Sequence, residues 1–106
     1  LPWWDKPAQP CLASRIPFGE EISSKRLEQI ALAEEWIINK GFSKVRVRSQ
    51  GLSARIELPA NEIDIFLKTI KRKELIKYFL FLGFHTVSID LEGLVSGKLT
   101  RDIKTN

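Results

Sequence analysis

The sequence predicts an α+β fold, a small αββαβ domain in which helices cover one face of a three-stranded, mainly antiparallel sheet after an irregular proline-rich segment. Three observations support this prediction. The chain has 106 residues, 43% of them hydrophobic, which suits one modest core. Two stretches carry apolar residues at helical spacing. Three shorter stretches alternate apolar and polar residues, as half-buried strands do.

The first 22 residues contain four of the five prolines and follow neither a helical nor an alternating period. They predict an irregular segment or linker. Ser23 or Ser24 is a suitable N-cap for the first helix. We expect that helix to run to Lys40 and to end at Gly41, because glycine readily adopts the left-handed conformation that follows many helices.

The stretch KVRVRSQGLSARIEL predicts a β-hairpin. Val45 and Val47 alternate with arginines, and the turn is expected at residues 49–51, where Gly51 lies. The inward positions of the second strand are expected to be Leu52, Ala54, Ile56 and Leu58.

Pro59 ends the second strand and opens a helical region. The charged run KRKE at 71–74 indicates a break between two helices. Gly83 closes the region, and HTVSIDL predicts a third strand with its apolar residues inward. The apolar positions of these elements are Ile63, Phe66, Leu67, Ile70, Leu75, Ile76, Phe79, Leu80, Val87, Ile89 and Leu91.

The charge and the cysteine content limit the partners and the cellular compartment that we expect for this chain. The net charge of +4 permits an anionic partner, although the basic residues are scattered along the chain. One cysteine cannot form an internal disulfide, and there is no signal peptide or apolar run of about 18 residues, so we expect a cytoplasmic protein without a membrane span. The opening LPWWDKP and the absence of methionine indicate a fragment.

Cys11 lies in the stretch KPAQPCLASRIPFG, where prolines exclude regular structure. One interpretation is a small buried hydrophobic residue. The other is a reactive thiol, because Arg15 and Lys6 would lower the pKa of the thiol and raise its thiolate fraction.

Arg46, Arg48 and Arg55 fall on one face of the predicted hairpin. Guanidinium groups can bind phosphate or carboxylate through two parallel hydrogen bonds, so this face is a candidate anion site. The alternative is a solvated polar face in which Arg55 pairs with Glu57 and Asp90.

Glu34 lies in the middle of the apolar stripe of the first helix. Burying an unpaired carboxylate is costly, so we expect a largely buried Glu34 that pairs with Arg46 or Arg48. If the broad apolar surface around Trp36 turns another edge to the core, Glu34 lies instead at the rim.

These motifs together resemble a known family. KPAQPCLASRIPFG, the Glu34 helix, GFSKVRVR, ARIELP and VSIDLEGLVSGKL follow one another as in the C-terminal half of the LarE-type ATP-dependent sulfur transferases, which belong to the PP-loop (adenine nucleotide alpha hydrolase) superfamily. The resemblance implies that residues 1–22 are a linker and active-site loop after an N-terminal PP-loop ATPase domain. Residues 23–106 would form the C-terminal α+β domain.

The family resemblance also implies site residues and a reaction. Cys11 would be the catalytic sulfur source, and Ser14 with its neighbour Arg15, together with Arg46 and Arg48, would contact phosphate or substrate. Glu34 and Asp64 would be acidic site residues. The implied reaction converts a carboxylate of a pyridinium mononucleotide to a thiocarboxylate for the nickel-pincer cofactor of lactate racemase.

The same family resemblance implies ATP and Mg²⁺ as cofactors of the full-length enzyme. None is expected in this fragment, which has no phosphate-cradling glycine loop and would be inactive alone. No metal site is expected here, because the single Cys11 cannot build the three-cysteine iron–sulfur site that some members hold. The expected partners are the mononucleotide, the ATPase domain and other copies of the chain.

The alternative function is an RNA-binding or oligomerisation module of a tRNA-thiolating PP-loop enzyme. Readers of single-stranded RNA usually expose aromatic residues on the sheet, whereas the outward positions here carry Arg, Ser, Thr and Asp. This composition argues against nucleic acid. The apolar excess around Trp36 and Phe79 would suit oligomerisation.

Overall fold

The computed structural model describes residues 15–16 and 19–94. Its elements confirm the predicted αββαβ order, with the second helical region divided into a 3₁₀ turn and two helices. In chain order they are α1 (Ser24–Ile38), β1 (Arg46–Gln50), β2 (Ser53–Glu57), the 3₁₀ turn (Ala60–Glu62), α2 (Ile63–Thr69), α3 (Arg72–Leu82) and β3 (Thr86–Ile89).

Helix α1 begins at the predicted N-cap. The hydroxyl of Ser23 accepts a hydrogen bond from the backbone N–H of Arg26 at 3.2 Å, which satisfies one of the free amides of the first turn. The helix ends at Ile38, two residues before the predicted end. Gly41 follows with a φ of 107°, a conformation that favours glycine.

The turn of the β1–β2 hairpin begins at residue 51, two residues after the predicted start at residue 49. Gln50 pairs with Ser53, so the turn consists of Gly51 and Leu52, with a positive φ of 58° at Gly51. Two-residue hairpin loops favour glycine at this first central position. Leu52 was expected to point inward but is 58% exposed, because it lies in the turn rather than in the strand.

The predicted three-stranded sheet is present with the order β1-β2-β3, and it is mixed. β2 is antiparallel to β1 and parallel to β3. The parallel pair arises because α2 and α3 form the crossover between β2 and β3, which returns the chain to the same end of the sheet. The chain turns after Ile89, so Leu91, predicted inward, is 78% exposed.

The hydrophobic core lies between the sheet and the helices. Alternation along the strands directs Val47, Ala54 and Ile56 to the side covered by α1 and α3. Each helix buries only the centre of its predicted apolar stripe. The stripe residues Ile38, Leu67, Ile76 and Leu80 are exposed.

Within the described part of the chain, no helix has both the length and the hydropathy that crossing a membrane requires.

Candidate functional site

Glu34 joins helix α1 to the N-terminal segment and to the edge of the sheet. Its side chain is buried, with 7% of the residue exposed. Oε2 accepts hydrogen bonds from Nε of Arg15 at 3.0 Å and from the backbone N–H of Val47 at 2.9 Å. Oε1 accepts a longer bond from Nη2 of Arg15 at 3.5 Å. The carboxylate is therefore paired and hydrogen-bonded, as a buried charge must be.

The burial of Glu34 was predicted correctly, which excludes the rim alternative. The predicted partner, Arg46 or Arg48, is wrong, because the ion pair is made by Arg15. Both predicted partners lie on the side of β1 that faces away from the core, whereas Glu34 approaches from the helical side and reaches the strand at its edge. Alternation along the strand thus places their side chains away from the carboxylate.

Arg15 also contacts β1 through its backbone. Its carbonyl oxygen accepts a hydrogen bond from the N–H of Ser49 at 2.9 Å. β1 is an edge strand, and its outward N–H groups at Val47 and Ser49 are satisfied by Glu34 and by Arg15. We call Arg15, Glu34, Val47 and Ser49 the edge clamp.

The face of the sheet opposite the core carries the predicted arginines. Arg46, Arg48 and Arg55 project there with Glu57. Glu57 is buried and accepts from Nε of Arg48 at 3.0 Å, and it forms an ion pair with Nη2 of Arg55 at 3.2 Å. Part of the polar-face alternative is thereby confirmed, because Arg55 pairs with Glu57.

We define the arginine face as Arg46, Arg48, Arg55 and Glu57; these four described residues carry three guanidinium groups and one carboxylate. Among the described residues Arg46 belongs to no ion pair, and its Nη1 donates to the neighbouring carbonyl of Val45 at 3.0 Å. Residues two apart on a strand lie about 7 Å from each other on the same face. Arg46 and Arg48 are therefore within reach of one anion.

A second set of contacts ties the N-terminal segment to the hairpin turn. Oε1 of Glu20 accepts from the N–H of Gly51 at 3.0 Å and from Nη2 of Arg26 at 2.9 Å. The backbone hydrogen bond from Gly51, followed by the bond from Arg26, lowers the pKa of Glu20 below its ordinary value. Arg26 also donates to the hydroxyl of Ser49 at 3.0 Å.

Three other predicted site residues are not brought together by described contacts. Cys11 and Ser14 lie outside the described residues. Asp64 is exposed in the first turn of α2 and takes part in no ion pair that the described residues make.

An apolar cleft of about 280 Å³ opens on the helical side of the sheet. It lies between the α2–α3 pair and β3, with Arg72 and Ser88 as its polar members. The apolar lining residues are Ile56, Phe66, Leu67, Ile70, Leu75, Ile76, Val87 and Ile89. The cleft is thus on the opposite side of the sheet from the arginine face.

Aromatic side chains also collect on the helical side. The rings of Trp36 and Tyr78 stack with centroids 5.9 Å apart, and Tyr78 stacks on Phe81 at 6.4 Å. In the three described strands, the outer face carries no aromatic residue. This arrangement agrees with the sequence argument against base stacking on the sheet.

Two roles that the structure reveals were not predicted from the sequence. Arg15 was predicted as a substrate contact and as a residue that lowers the pKa of the Cys11 thiol, and Glu57 was predicted only as a partner of Arg55. The missed signal for Arg15 was the unsatisfied outer edge of β1, since an edge strand leaves alternate N–H groups without a sheet partner. The signal for Glu57 was its position two residues after Arg55, on the same face of the strand.

Comparison with known proteins gives three related sequences, while no family model matches the chain. An uncharacterized protein of Synechocystis sp. is 50% identical over 101 residues, which cover 95% of this chain and 38% of that protein. An uncharacterized protein of Methanocaldococcus jannaschii is 36% identical over 86 residues, which cover 81% of this chain and 33% of the relative.

The third relative is named for an activity. The pyridinium-3,5-bisthiocarboxylic acid mononucleotide synthase of Lactiplantibacillus plantarum is 36% identical over 96 residues, which cover 91% of this chain and 34% of the enzyme. The chain thus spans about a third of the length of each of these relatives. The expected resemblance to LarE-type enzymes is supported over most of the chain.

Proposed function

We propose that this chain is the C-terminal domain of an ATP-dependent sulfur transferase that converts a carboxylate of a pyridinium mononucleotide to a thiocarboxylate. The similarity to the L. plantarum synthase supports the substrate class, since that enzyme is named for a pyridinium bisthiocarboxylate mononucleotide. In this proposal the product serves synthesis of the nickel-pincer cofactor for lactate racemase.

The observation that carries the proposal is the arginine face. Its three guanidinium groups against one carboxylate provide the excess positive charge that a phosphate monoester requires. Arg46 and Arg48 are both half-buried, which places their charges where solvent screens them less than at a fully exposed site. Glu57 holds Arg48 in one orientation, so the guanidinium is arranged before a ligand arrives.

The chemistry assigned to this chain follows from that arrangement. Arg46 and Arg48, with Ser14, hold the phosphate of the mononucleotide. Cys11 then attacks the activated carboxyl carbon as a thiolate, forms a carbon–sulfur bond and expels the activating group, which gives a thioester. Removal of the Cα proton of Cys11 then breaks its Cβ–Sγ bond, so that the sulfur leaves on the substrate as a thiocarboxylate and dehydroalanine remains in the chain. Arg15 and Asp64 remain proposed substrate contacts, and the backbone carbonyl of Arg15 is bonded to the N–H of Ser49 in β1.

Activation of the carboxylate is assigned to the rest of the gene product. The described residues contain no glycine-rich loop of the kind that cradles the phosphates of ATP, and this proposal assigns the binding of ATP and Mg²⁺ to the rest of the gene product. We therefore propose an N-terminal ATPase domain as partner, together with a homo-oligomer in the cytoplasm. Leu80 and Phe81, both exposed on α3, are compatible with such contacts.

Reconstitution of the reaction tests the proposal. The full-length gene product is incubated with pyridinium-3,5-dicarboxylate mononucleotide, ATP and Mg²⁺, and the products are identified by mass spectrometry. We expect a thiocarboxylate whose formation is lost in Arg48→Ala and kept in Arg72→Ala, because Arg72 lies in α3 on the opposite side of the sheet. Absence of thiocarboxylate with the unaltered protein would refute the proposed reaction.

A further inference from the structure

We infer that Glu57 and Arg55 are positioning residues of the arginine face, which hold Arg48 for an anion without contacting that anion themselves. This inference rests on the proposed function, because it takes the phosphate of the mononucleotide as the ligand of Arg46 and Arg48. It goes further by dividing the four residues of the arginine face into two that bind and two that position.

The first step concerns the register of the two strands. Arg46 lies directly opposite Glu57, and Arg48 lies directly opposite Arg55. Like charges that face each other on neighbouring strands repel and destabilise the sheet. The pair of Arg48 and Arg55 therefore needs a nearby carboxylate, and Glu57 supplies it.

The second step concerns the partners of Glu57. Directly opposite residues in an antiparallel pair are closer than diagonal ones, so Arg46 is the nearer cross-strand neighbour of Glu57. The carboxylate nevertheless binds the diagonal Arg48, with 3.0 Å between Oε1 and Nε, while Oε2 lies 3.2 Å from Nη2 of Arg55. Each carboxylate oxygen is thus engaged by one guanidinium group. In the part of the chain that the structure describes, Arg46 stays outside these ion pairs and donates to the carbonyl of Val45.

The third step concerns what Glu57 can do for a ligand. Only 5% of the residue is exposed, and its charge repels an anion, so Glu57 is a poor direct contact for phosphate. Its bond to Nε fixes the direction of the guanidinium group of Arg48. A side chain that is already held loses less conformational freedom when a ligand binds, and this favours affinity. Arg55 contributes through Glu57, because its guanidinium group holds the second oxygen of the carboxylate.

Substitution of Glu57 distinguishes positioning from a simple charge effect, because the two predict opposite changes in affinity. Glu57→Gln removes a negative charge beside an anion site, and the charge effect alone would strengthen phosphate binding by about twofold. The amide offers one acceptor oxygen and an NH₂ group that cannot accept, so it cannot hold both guanidinium groups as the carboxylate does. Loss of positioning would therefore weaken binding. The matched control is Glu74→Gln in α3, which removes one carboxylate from an exposed pair with Lys71.

Binding of inorganic phosphate and of pyridinium-3,5-dicarboxylate mononucleotide to the full-length gene product is measured by isothermal titration calorimetry. We expect Glu57→Gln to weaken both affinities by about three- to tenfold, the cost of ordering one long side chain on binding. In an Arg48→Ala background the same substitution should no longer weaken binding, because the side chain that Glu57 positions is gone. Glu74→Gln should leave both affinities unchanged. Unchanged or stronger binding by Glu57→Gln, or equal weakening with and without Arg48, would overturn the inference.

Arg55→Ala separates positioning from direct contact at the second arginine. The side chain of Arg55 is 48% exposed, so the substitution disturbs the core little. If Arg55 acts through Glu57, its removal should weaken phosphate binding in the otherwise unaltered protein and have no further effect in Glu57→Gln. An equal loss of affinity in both backgrounds would show that Arg55 binds phosphate directly and would refute its positioning role.

Nuclear magnetic resonance of the full-length gene product with ¹⁵N-labelled arginine tests the held orientation without ligand or reaction. The Nε–H of Arg48 donates to a buried oxygen, so its exchange with solvent should be slow and should become faster in Glu57→Gln. The backbone amide signals of the same sample report whether the variant is folded. Unchanged exchange at Arg48 would refute positioning. If the unaltered protein makes no thiocarboxylate while phosphate binding and Arg48 exchange respond as expected, the proposed reaction fails and the positioning role stands.

Discussion

Nε of Arg15 lies 3.0 Å from Oε2 of Glu34, and the same carboxylate oxygen accepts the N–H of Val47 at 2.9 Å. One buried atom therefore joins an N-terminal segment, the first helix and the edge strand of the sheet. These three parts of the chain are separated in sequence, and they meet at Val47, which lies between Arg46 and Arg48 in β1.

Breaking this pair should destabilise the domain strongly. Both side chains are largely buried, and removing one partner of a buried ion pair typically costs about 3–5 kcal/mol. We expect Glu34→Gln to lower the free energy of unfolding by about this amount, measured by urea denaturation. Glu74→Gln, which breaks an exposed pair, should cost no more than about 1 kcal/mol. Equal effects of the two substitutions would contradict the importance of burial.

The arginine face should bind a phosphate monoester. A hydrogen bond to a charged group contributes about 1.5–3 kcal/mol, so Arg46→Ala or Arg48→Ala should weaken mononucleotide binding by roughly tenfold to hundredfold. Isothermal titration calorimetry measures the change, with Arg72→Ala as the control. Binding should also weaken as salt concentration rises. Unchanged affinity in Arg48→Ala would show that the phosphate does not bind at the arginine face.

Cys11→Ala should abolish sulfur transfer in the full-length gene product, because the proposed reaction takes its sulfur from this thiol, the single cysteine of these 106 residues. The measurements are thiocarboxylate yield and intact-protein mass after turnover. A mass decrease corresponding to loss of H₂S from the unaltered protein would show that the cysteine is consumed. Thiocarboxylate formation by Cys11→Ala would show that the sulfur comes from elsewhere.

Glu20 should contribute a pH-dependent part of stability. Its pKa in the folded state is lowered by the N–H of Gly51 and by Arg26, so its contribution is complete above the unfolded-state pKa of about 4.3. The contribution is lost as the pH falls through the lower folded-state pKa. We therefore expect the stability difference between the unaltered protein and Glu20→Gln to shrink below about pH 4. A stability difference between the two proteins that is constant from pH 7 to pH 3 would contradict this prediction.

Gly93 should tolerate no side chain, in contrast to Gly41. Both have positive φ, which costs alanine about 1–2 kcal/mol. A Cβ at Gly93 would also collide with the backbone of Leu58 and Ala60, whereas space is open at Gly41. Gly93→Ala should therefore destabilise the domain by about 1–3 kcal/mol more than Gly41→Ala, as measured by thermal unfolding. Similar melting temperatures for both variants would show that the turn after β3 can move aside.

The features predicted correctly from sequence depend on short-range periodicity. The alternation of valine and arginine in β1 identified which side chains point away from the core. Ser23 marked the start of α1. Glu34 was expected to be buried because the helix period places it among apolar residues. In each case, backbone geometry determines the direction of a side chain from its position in the element alone.

Tertiary structure decided which of several compatible arrangements formed. Leu67, Ile76 and Leu80 match a helical stripe but stay exposed, because a helix buries only the part of its stripe that its neighbours can cover. The parallel pairing of β3 depends on the path of the crossover through α2 and α3.

The partner of Glu34 likewise could not be predicted from local sequence patterns. Arg15 is 19 positions away in a segment without periodicity, and three other arginines on the hairpin were equally plausible donors by charge. What selected Arg15 was the edge of β1, where its carbonyl and the carboxylate of Glu34 satisfy two outward N–H groups. The sequence by itself determined that the buried charge needs a partner. Only the packed fold determined which one, because the choice depends on which groups lie beside the open edge of a strand.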